Sequence, residues 1–225
     1  MTVSPTKKTL SVEVYDRLRT ELLRGDFAPG AKLLIGEIAS RFGVSASVLR
    51  EAMARLAQQG LLRANPQRGF SVPELSVEVL EDLSLARRLI ETTALRESIR
   101  DGDLAWESTV MAAHHRLHHT PSTDSQGHLT EEWDRAHREF HHLLLAGGRS
   151  RTLTEVATGL RDRTELFVHW SRELTQDDSR DVPAEHQRIA DLALARDADG
   201  AAQALDEHIQ RSVTALVEHL QPSGK

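Results

Sequence analysis

The chain has 225 residues, of which 39% are hydrophobic, 28% charged and 4% aromatic, and its formal net charge is −6. This is the composition of a soluble, helix-rich globule, long enough for one large domain or two modest ones, and not that of a disordered or fibrous chain. There is no cysteine, which excludes disulfides, thiolate metal ligands and a cysteine nucleophile and fits a reducing, cytoplasmic setting; no apolar run reaches the length of a membrane span, and MTVSPTKKTLSVEVY lacks the apolar stretch of a secretory signal.

Residues 1–10 read as a disordered arm. From Ser11 to Arg24 apolar residues recur at Val14, Leu18 and Leu22, which predicts an amphipathic helix with Ser11 as its cap. Gly25 to Gly30, with Pro29, ends it. Ala31–Leu34 reads as a short strand, and Ile35–Phe42 as a helix. Gly43 supplies a left-handed stop, and Ser45 caps a second helix over Ala46–Gln59. Leu61–Asn65 and Gly69–Pro73 then form two strands around a turn. Helix, helix–turn–helix and hairpin in that order predict a winged helix-turn-helix over 11–73.

After Glu74 the pattern changes to six helices without a strand: Val77–Arg100, Asp103–His119, Leu129–Ala146, Thr152–Ser171, Ala184–Arg196 and Gly200–Leu220. The fold class is therefore mainly α, an N-terminal winged helix-turn-helix joined to a six-helix bundle over 74–225. Charge follows the same division. Residues 1–73 carry eleven Lys and Arg against six Asp and Glu, so the acid excess lies wholly in the bundle. A basic module on an acidic body is the layout of a double-stranded DNA reader with a separate sensor.

In a helix-turn-helix the N-terminal residues of the second helix face the bases. Here these include Ser45, Ser47 and Arg50. A guanidinium at Arg50 can bond a guanine edge or clamp a phosphate, and the two serines suit phosphate oxygens. Arg68 and Gly69 sit at the wing tip, where Arg68 can enter the minor groove and Gly69 allows close backbone approach.

The string PGAKL, then IGEIASRFGVSASVLREAMARLAQQGLL, then RGFSV resembles the GntR family of bacterial regulators over Val12–Pro73. Two positions depart from the family pattern. Ala46 stands where an Arg usually follows the Ser of Gly-Val-Ser, and Gly36 matches a position that is basic in some members. The resemblance implies recognition that leans on Arg50 and on the Arg68-Gly69 wing.

The bundle is rich in histidine, with all of the chain's twelve. His137 and His141 lie one turn apart on a stripe that starts at Asp134 and continues into Leu144 and Leu145. His186 shares a face with Ile189, Ala190 and Ala193, and His208 with Ala201, Ala204 and Leu205. Four imidazoles on inward faces of three helices is how a bundle-core metal site is built. Neutral imidazole suits Zn, Ni, Cu and Fe, and a carboxylate ligand widens the choice to Mn. The alternative is a set of hydrogen-bonded core histidines. His114, His115, His118 and His119 have similar spacing, but they point in two directions at a helix C-terminus, where imidazolium is mildly favourable, and read as surface.

HREFHHLLLAGG, EHQRIADLALARDADGAAQAL and DEHIQRS resemble the FCD domain, the all-helical ligand-binding domain of FadR-type GntR regulators. Metal-binding members read Asp-x-x-Phe-His where this chain has His137-Arg-Glu-Phe140-His141. Either His137 ligates directly, giving a four-His site with His141, His186 and His208, or Asp134 acts as ligand or as acceptor behind a ligating imidazole. The first reading is preferred, with Asp134 behind. The resemblance implies a divalent metal, zinc foremost with nickel or manganese as alternatives, and a small carboxylate effector held partly by basic side chains. Arg87 matches an Arg frequent in the family's first sensor helix, and Arg161 and Arg163 are further candidates. It also implies a homodimeric, cytoplasmic repressor whose two winged modules straddle a palindrome about one helical turn between half-sites. The alternative is a regulator for which the ion itself is the signal. An enzyme is not expected: there is no HExxH string and no convincing general base beside the histidines.

Overall fold

A computed structural model describes residues 7–125, 130–172 and 180–220. Residues 1–6 of the expected arm, Gly127 and Leu129 of the expected third-helix entry, and 176–179 of the expected break before His186 fall outside them. The chain divides into two compact units, Met1–Val79 with Asp162–Trp170, and Leu80–Arg161 with Ser171–Lys225.

The first unit opens with α1 (Lys7–Leu23), which begins inside the expected arm. No helix breaker lies between Pro5 and Gly25, so the amphipathic pattern extends back to Lys7. Strand β1 (Lys32–Leu33), α2 (Ile35–Phe42), α3 (Ala46–Gln58), β2 (Arg63–Asn65) and β3 (Gly69–Ser71) follow. Gly43 ends α2 at φ +66, and the Ser45 side chain accepts a hydrogen bond from the Val48 amide to start α3. The sheet is antiparallel in the order β1-β3-β2, with Lys32 and Arg63 both opposite Ser71. Leu18 and Leu22 of α1 close on Leu49, Met53 and Leu56 of α3, all fully buried. Each such side chain contributes about 1.5–3 kcal/mol on leaving water, and this packing fixes the outward face of α3.

The second unit is helical among the described residues: α4 (Val77–Asp101), α5 (Leu104–His119), α6 (Glu131–Leu144), α7 (Arg151–Arg172), α8 (Val182–Leu194) and α9 (Ala198–Leu220). Helix α4 starts with residues of the first unit, and Asp162–Trp170 of α7 belong to that unit as well. Asp103 caps α5 through the Trp106 amide, and Thr130 caps α6 through that of Trp133. Helix α8 starts two residues before the expected Ala184. Asp181 caps it and Pro183 occupies its first turn, where a missing N–H costs nothing. The core gathers Leu95, Val110, Phe140, Leu144, Ile189, Leu205 and Ile209.

The turn after α6 is locked by Ser98 of α4. Its buried hydroxyl accepts from the amides of Gly147 and Gly148, both at 3.2 Å. A Cβ on Gly147 would stand 2.7 Å from the Ser98 carbonyl oxygen, so the glycine is a packing requirement as well as a helix stop. This junction holds the C-terminal end of α6, and with it the histidine stripe, against the bundle.

Candidate functional site

In the first unit Ser45, Ser47 and Arg50 lie exposed at the start of α3, on the side opposite its buried Val48, Leu49 and Ala52. The Ser45 and Ser47 hydroxyls are 2.9 Å apart. Arg68 is exposed at the tip of the β2–β3 hairpin, beside Gly69 at φ +86 and Gln67 at φ +60. Arg50 and Arg68 form no ion pair among the described residues, whereas Arg17 and Arg41 are engaged by Glu21. Arg50, at the N-terminal end of α3, and Arg68, at the wing tip, are thus among the unengaged cations of the described residues. A Cβ at Gly36 would meet nothing within 4 Å, so no packing demand explains the missing side chain there.

In the second unit His137 and His141 project from α6, His186 from α8 and His208 from α9. One ligand-capable atom of each lies within 4.8 Å of those of the other three. His141, His186 and His208 are buried and His137 is half-buried. The Nε2 atoms of His141 and His186 are 3.2 Å apart. A tetrahedral site with metal–nitrogen bonds of about 2.0–2.1 Å needs nitrogens about 3.4 Å apart, so this pair already stands at the required separation. The widest pair would have to close by roughly 1–1.5 Å.

Burial pushes the His141 and His186 imidazoles well below their ordinary range, and nearby cations, Arg161 among them, push the same way. His208 is pushed down to about 4, again chiefly by burial, against the opposing pull of Glu185. All three are neutral at pH 7, which is the ligating form. The residues present thus fit a divalent ion, and the four-histidine cluster could bind one.

The carboxylates around the cluster are Asp134 and Glu185. That of Asp134 pairs with Arg138 and is not among the converging ligand atoms. A carboxylate also stands behind one of the converging imidazoles at Glu185, whose Oε2 lies 2.8 Å from Nδ1 of His208. Glu185 is gripped by Arg180, through Nε at 2.9 Å and Nη2 at 2.5 Å. Both residues escape a reading by helix faces. Glu185 is adjacent to His186 in sequence and so points elsewhere, and its contact with α9 appears only once α8 and α9 are packed together.

Of the basic candidates, Arg87 and Arg161 are buried and share Glu91, with Arg87 Nε at 2.5 Å from Oε1 and Arg161 Nη2 at 2.8 Å from Oε2. Arg163 belongs to the first unit, where its side chain covers Gly60 so closely that a Cβ there would meet Nε at 2.8 Å. A cavity of about 260 Å3 is walled by Trp133 and His186, with His114, His118 and Leu117 opposite. Trp133 stacks on the His137 ring at 4.8 Å, so two walls of the cavity also border the histidine cluster. The other histidines of α5, His115 and His119, are not among its lining residues, and their rings lie tilted with centroids 4.1 Å apart.

Residues 10–72 match the family described as bacterial regulatory proteins, gntR family, and residues 82–211 match the FCD domain. The HTH-type transcriptional regulator BphR of Paraburkholderia xenovorans (strain LB400) is 32% identical over 93% of this chain and 86% of its own length. The HTH-type transcriptional repressor GlaR of Escherichia coli (strain K12) is 29% identical over 88% of this chain and 92% of its own. In fold the chain is similar to E. coli McbR/YncC, with a TM-score of 0.80 at 22% identity over 96% of this chain and 99% of that one.

Proposed function

Because the chain belongs to the GntR family of bacterial transcriptional regulators, in the FadR-type branch that carries a C-terminal FCD domain, we propose that it is a cytoplasmic, homodimeric repressor released from its operator by a small carboxylate bound at a zinc-loaded histidine site. The family is one of DNA-binding regulators and not of enzymes. In this reading residues 11–73 grip DNA through Ser45, Ser47, Arg50, Arg68 and Gly69, and residues 74–225 sense the effector.

The observation that carries the reading is the convergence of His137, His141, His186 and His208, at least three of them neutral, inside the helical unit. The cavity walled by Trp133 and His186 supports a ligand seated beside the ion. Arg87 and Arg161 are the proposed cationic partners of its carboxylate, and would share their N–H groups between it and Glu91. The effector can shift operator affinity only as far as it prefers one arrangement of the sensor over the other.

A second reading is favoured by the number of imidazoles. Four protein ligands complete a tetrahedral zinc shell, as in structural sites, and leave no open position for a carboxylate unless the shell expands. The ion itself would then be the signal. Operator titration by fluorescence anisotropy separates the two, using chelated protein, zinc-loaded protein, and zinc-loaded protein with a panel of small carboxylates. Release only when a carboxylate joins the metal supports the first reading, and a response to zinc alone the second. Operator affinity indifferent to both metal and carboxylate would sink both.

A further inference from the structure

We propose that Glu185 is a positioning residue for the metal centre, holding His208 in the one tautomer that can ligate, and that Arg180 in turn holds Glu185. The proposal rests on the reading of the four histidines as a metal site. His208 Nδ1 faces two groups, Glu185 Oε2 at 2.8 Å and Arg180 Nη2 at 3.3 Å. They make opposite demands. A carboxylate oxygen only accepts, so it requires a proton on Nδ1; a guanidinium only donates, so it requires a bare Nδ1. The shorter contact is to the carboxylate, and a bare Nδ1 at that distance would set two lone pairs against each other. Nδ1 therefore carries the proton, and Nε2 keeps its lone pair for an ion.

Arg180 has other work to do. Its forked grip fixes both carboxylate oxygens, Nη1 donates to Ser212 Oγ at 3.0 Å, and Nη2 reaches the His208 carbonyl at 3.1 Å. Arg211 adds a longer contact to Oε1 at 3.3 Å. The Glu185 carboxylate is thereby oriented from behind, with its second oxygen aimed at the imidazole. A hydrogen-bonded carboxylate behind a ligating histidine fixes ring orientation and raises ligand basicity.

The experiment uses the full chain and zinc alone. Affinity is measured by competition with a chromophoric chelator for wild type, Glu185→Gln, Glu185→Ala and Glu207→Gln, the last altering a neighbouring carboxylate that pairs with Arg188. Zinc affinity is expected to fall about 10–100-fold in both Glu185 variants and to stay unchanged in Glu207→Gln. Long-range 1H–15N spectra of the metal-free wild type are expected to show His208 with its proton on Nδ1, a readout that needs no variant to fold. A proton on Nε2 in wild type, or zinc affinity of Glu185→Ala within threefold of wild type, overturns the proposal. Failure of wild type to bind zinc overturns the metal reading beneath it, which is a separate outcome.

Discussion

Replacing Glu91 by Ala strips a fully buried carboxylate from between two buried guanidinium groups, those of Arg87 and Arg161. Both remain charged, because neither can release its proton near neutral pH. Removing one member of a buried ion pair costs about 3–5 kcal/mol. In a chain of this size each kcal/mol moves the melting temperature by about 2–4 °C, so a drop of about 6–20 °C is expected by circular dichroism. Burial pushes the Glu91 carboxyl up, but Arg161 and Arg87 outweigh it and hold the group below its ordinary value of 4.5. A depressed carboxylate stabilises fully above its unfolded value and loses that contribution as pH falls. The difference between wild type and Glu91→Ala is therefore flat above about pH 4.5 and narrows below it. Formate at high concentration is expected to restore part of the lost stability by entering the vacated space. Replacing the whole triad by apolar residues (Arg87→Met, Glu91→Leu, Arg161→Met) is expected to recover most of the loss, since no charge is then left buried. A fall below about 1 kcal/mol in Glu91→Ala, or equal losses in the single and triple variants, would refute the account.

Arg50→Ala is expected to weaken operator binding by about 1–3 kcal/mol, roughly 5–150-fold, with an unchanged melting temperature; an unchanged operator dissociation constant would remove Arg50 from the contact set. Ser98→Ala leaves the amides of Gly147 and Gly148 without their acceptor, and a loss of about 1–3 kcal/mol in urea unfolding is expected. Gly36→Ala, at a helical position open to solvent, should raise stability by about 0.5–1 kcal/mol, and a decrease would show a constraint on that backbone. The buried imidazoles set an acid limit. Their lowered proton affinity stabilises the fold fully above an unfolded value near 6.5, and this contribution is lost as pH falls toward about 4 for His208. The melting temperature of metal-free protein should hold from pH 8 to 7 and fall by pH 5, and a flat profile through pH 5 would mean the imidazoles are not buried neutral.

Much of the fold follows from local rules acting on particular residues. Gly43 and Ser45 mark the turn of the helix-turn-helix because one must be left-handed and the other must cap, and both requirements are visible in one sequence. The four histidines were legible because His137 and His141 are one turn apart and His186 and His208 each share a face with apolar residues. Glu185 was not, because its role depends on the packing of α8 against α9, and its sequence neighbour His186 faces another way. Asp134 shows the same dependence on partners. It shares the stripe of His137, yet Arg138, also one turn away, captures its carboxylate. Arg163, two residues from Arg161, likewise has a partner remote in sequence, its side chain lying over Gly60. Periodicity assigns a face, while the partner on that face is set by chain that is remote in sequence.

The engagement of most arginines in the first unit bears on how the protein moves over a genome. Within its first 79 residues Arg17, Arg19, Arg24 and Arg41 are bound to acids and Arg55 lies over the Tyr15 ring, which leaves Lys32, Arg50, Arg63 and Arg68 unengaged among the described side chains. If these four displaced every counterion they could, the logarithm of affinity would fall with that of salt at a slope of about −4 per chain. The chain as a whole carries −6 and is repelled by the phosphate backbone. Loose, sequence-independent residence on chromosomal DNA is therefore weak. Few copies are then expected to be titrated away by the excess of wrong sites on chromosomal DNA.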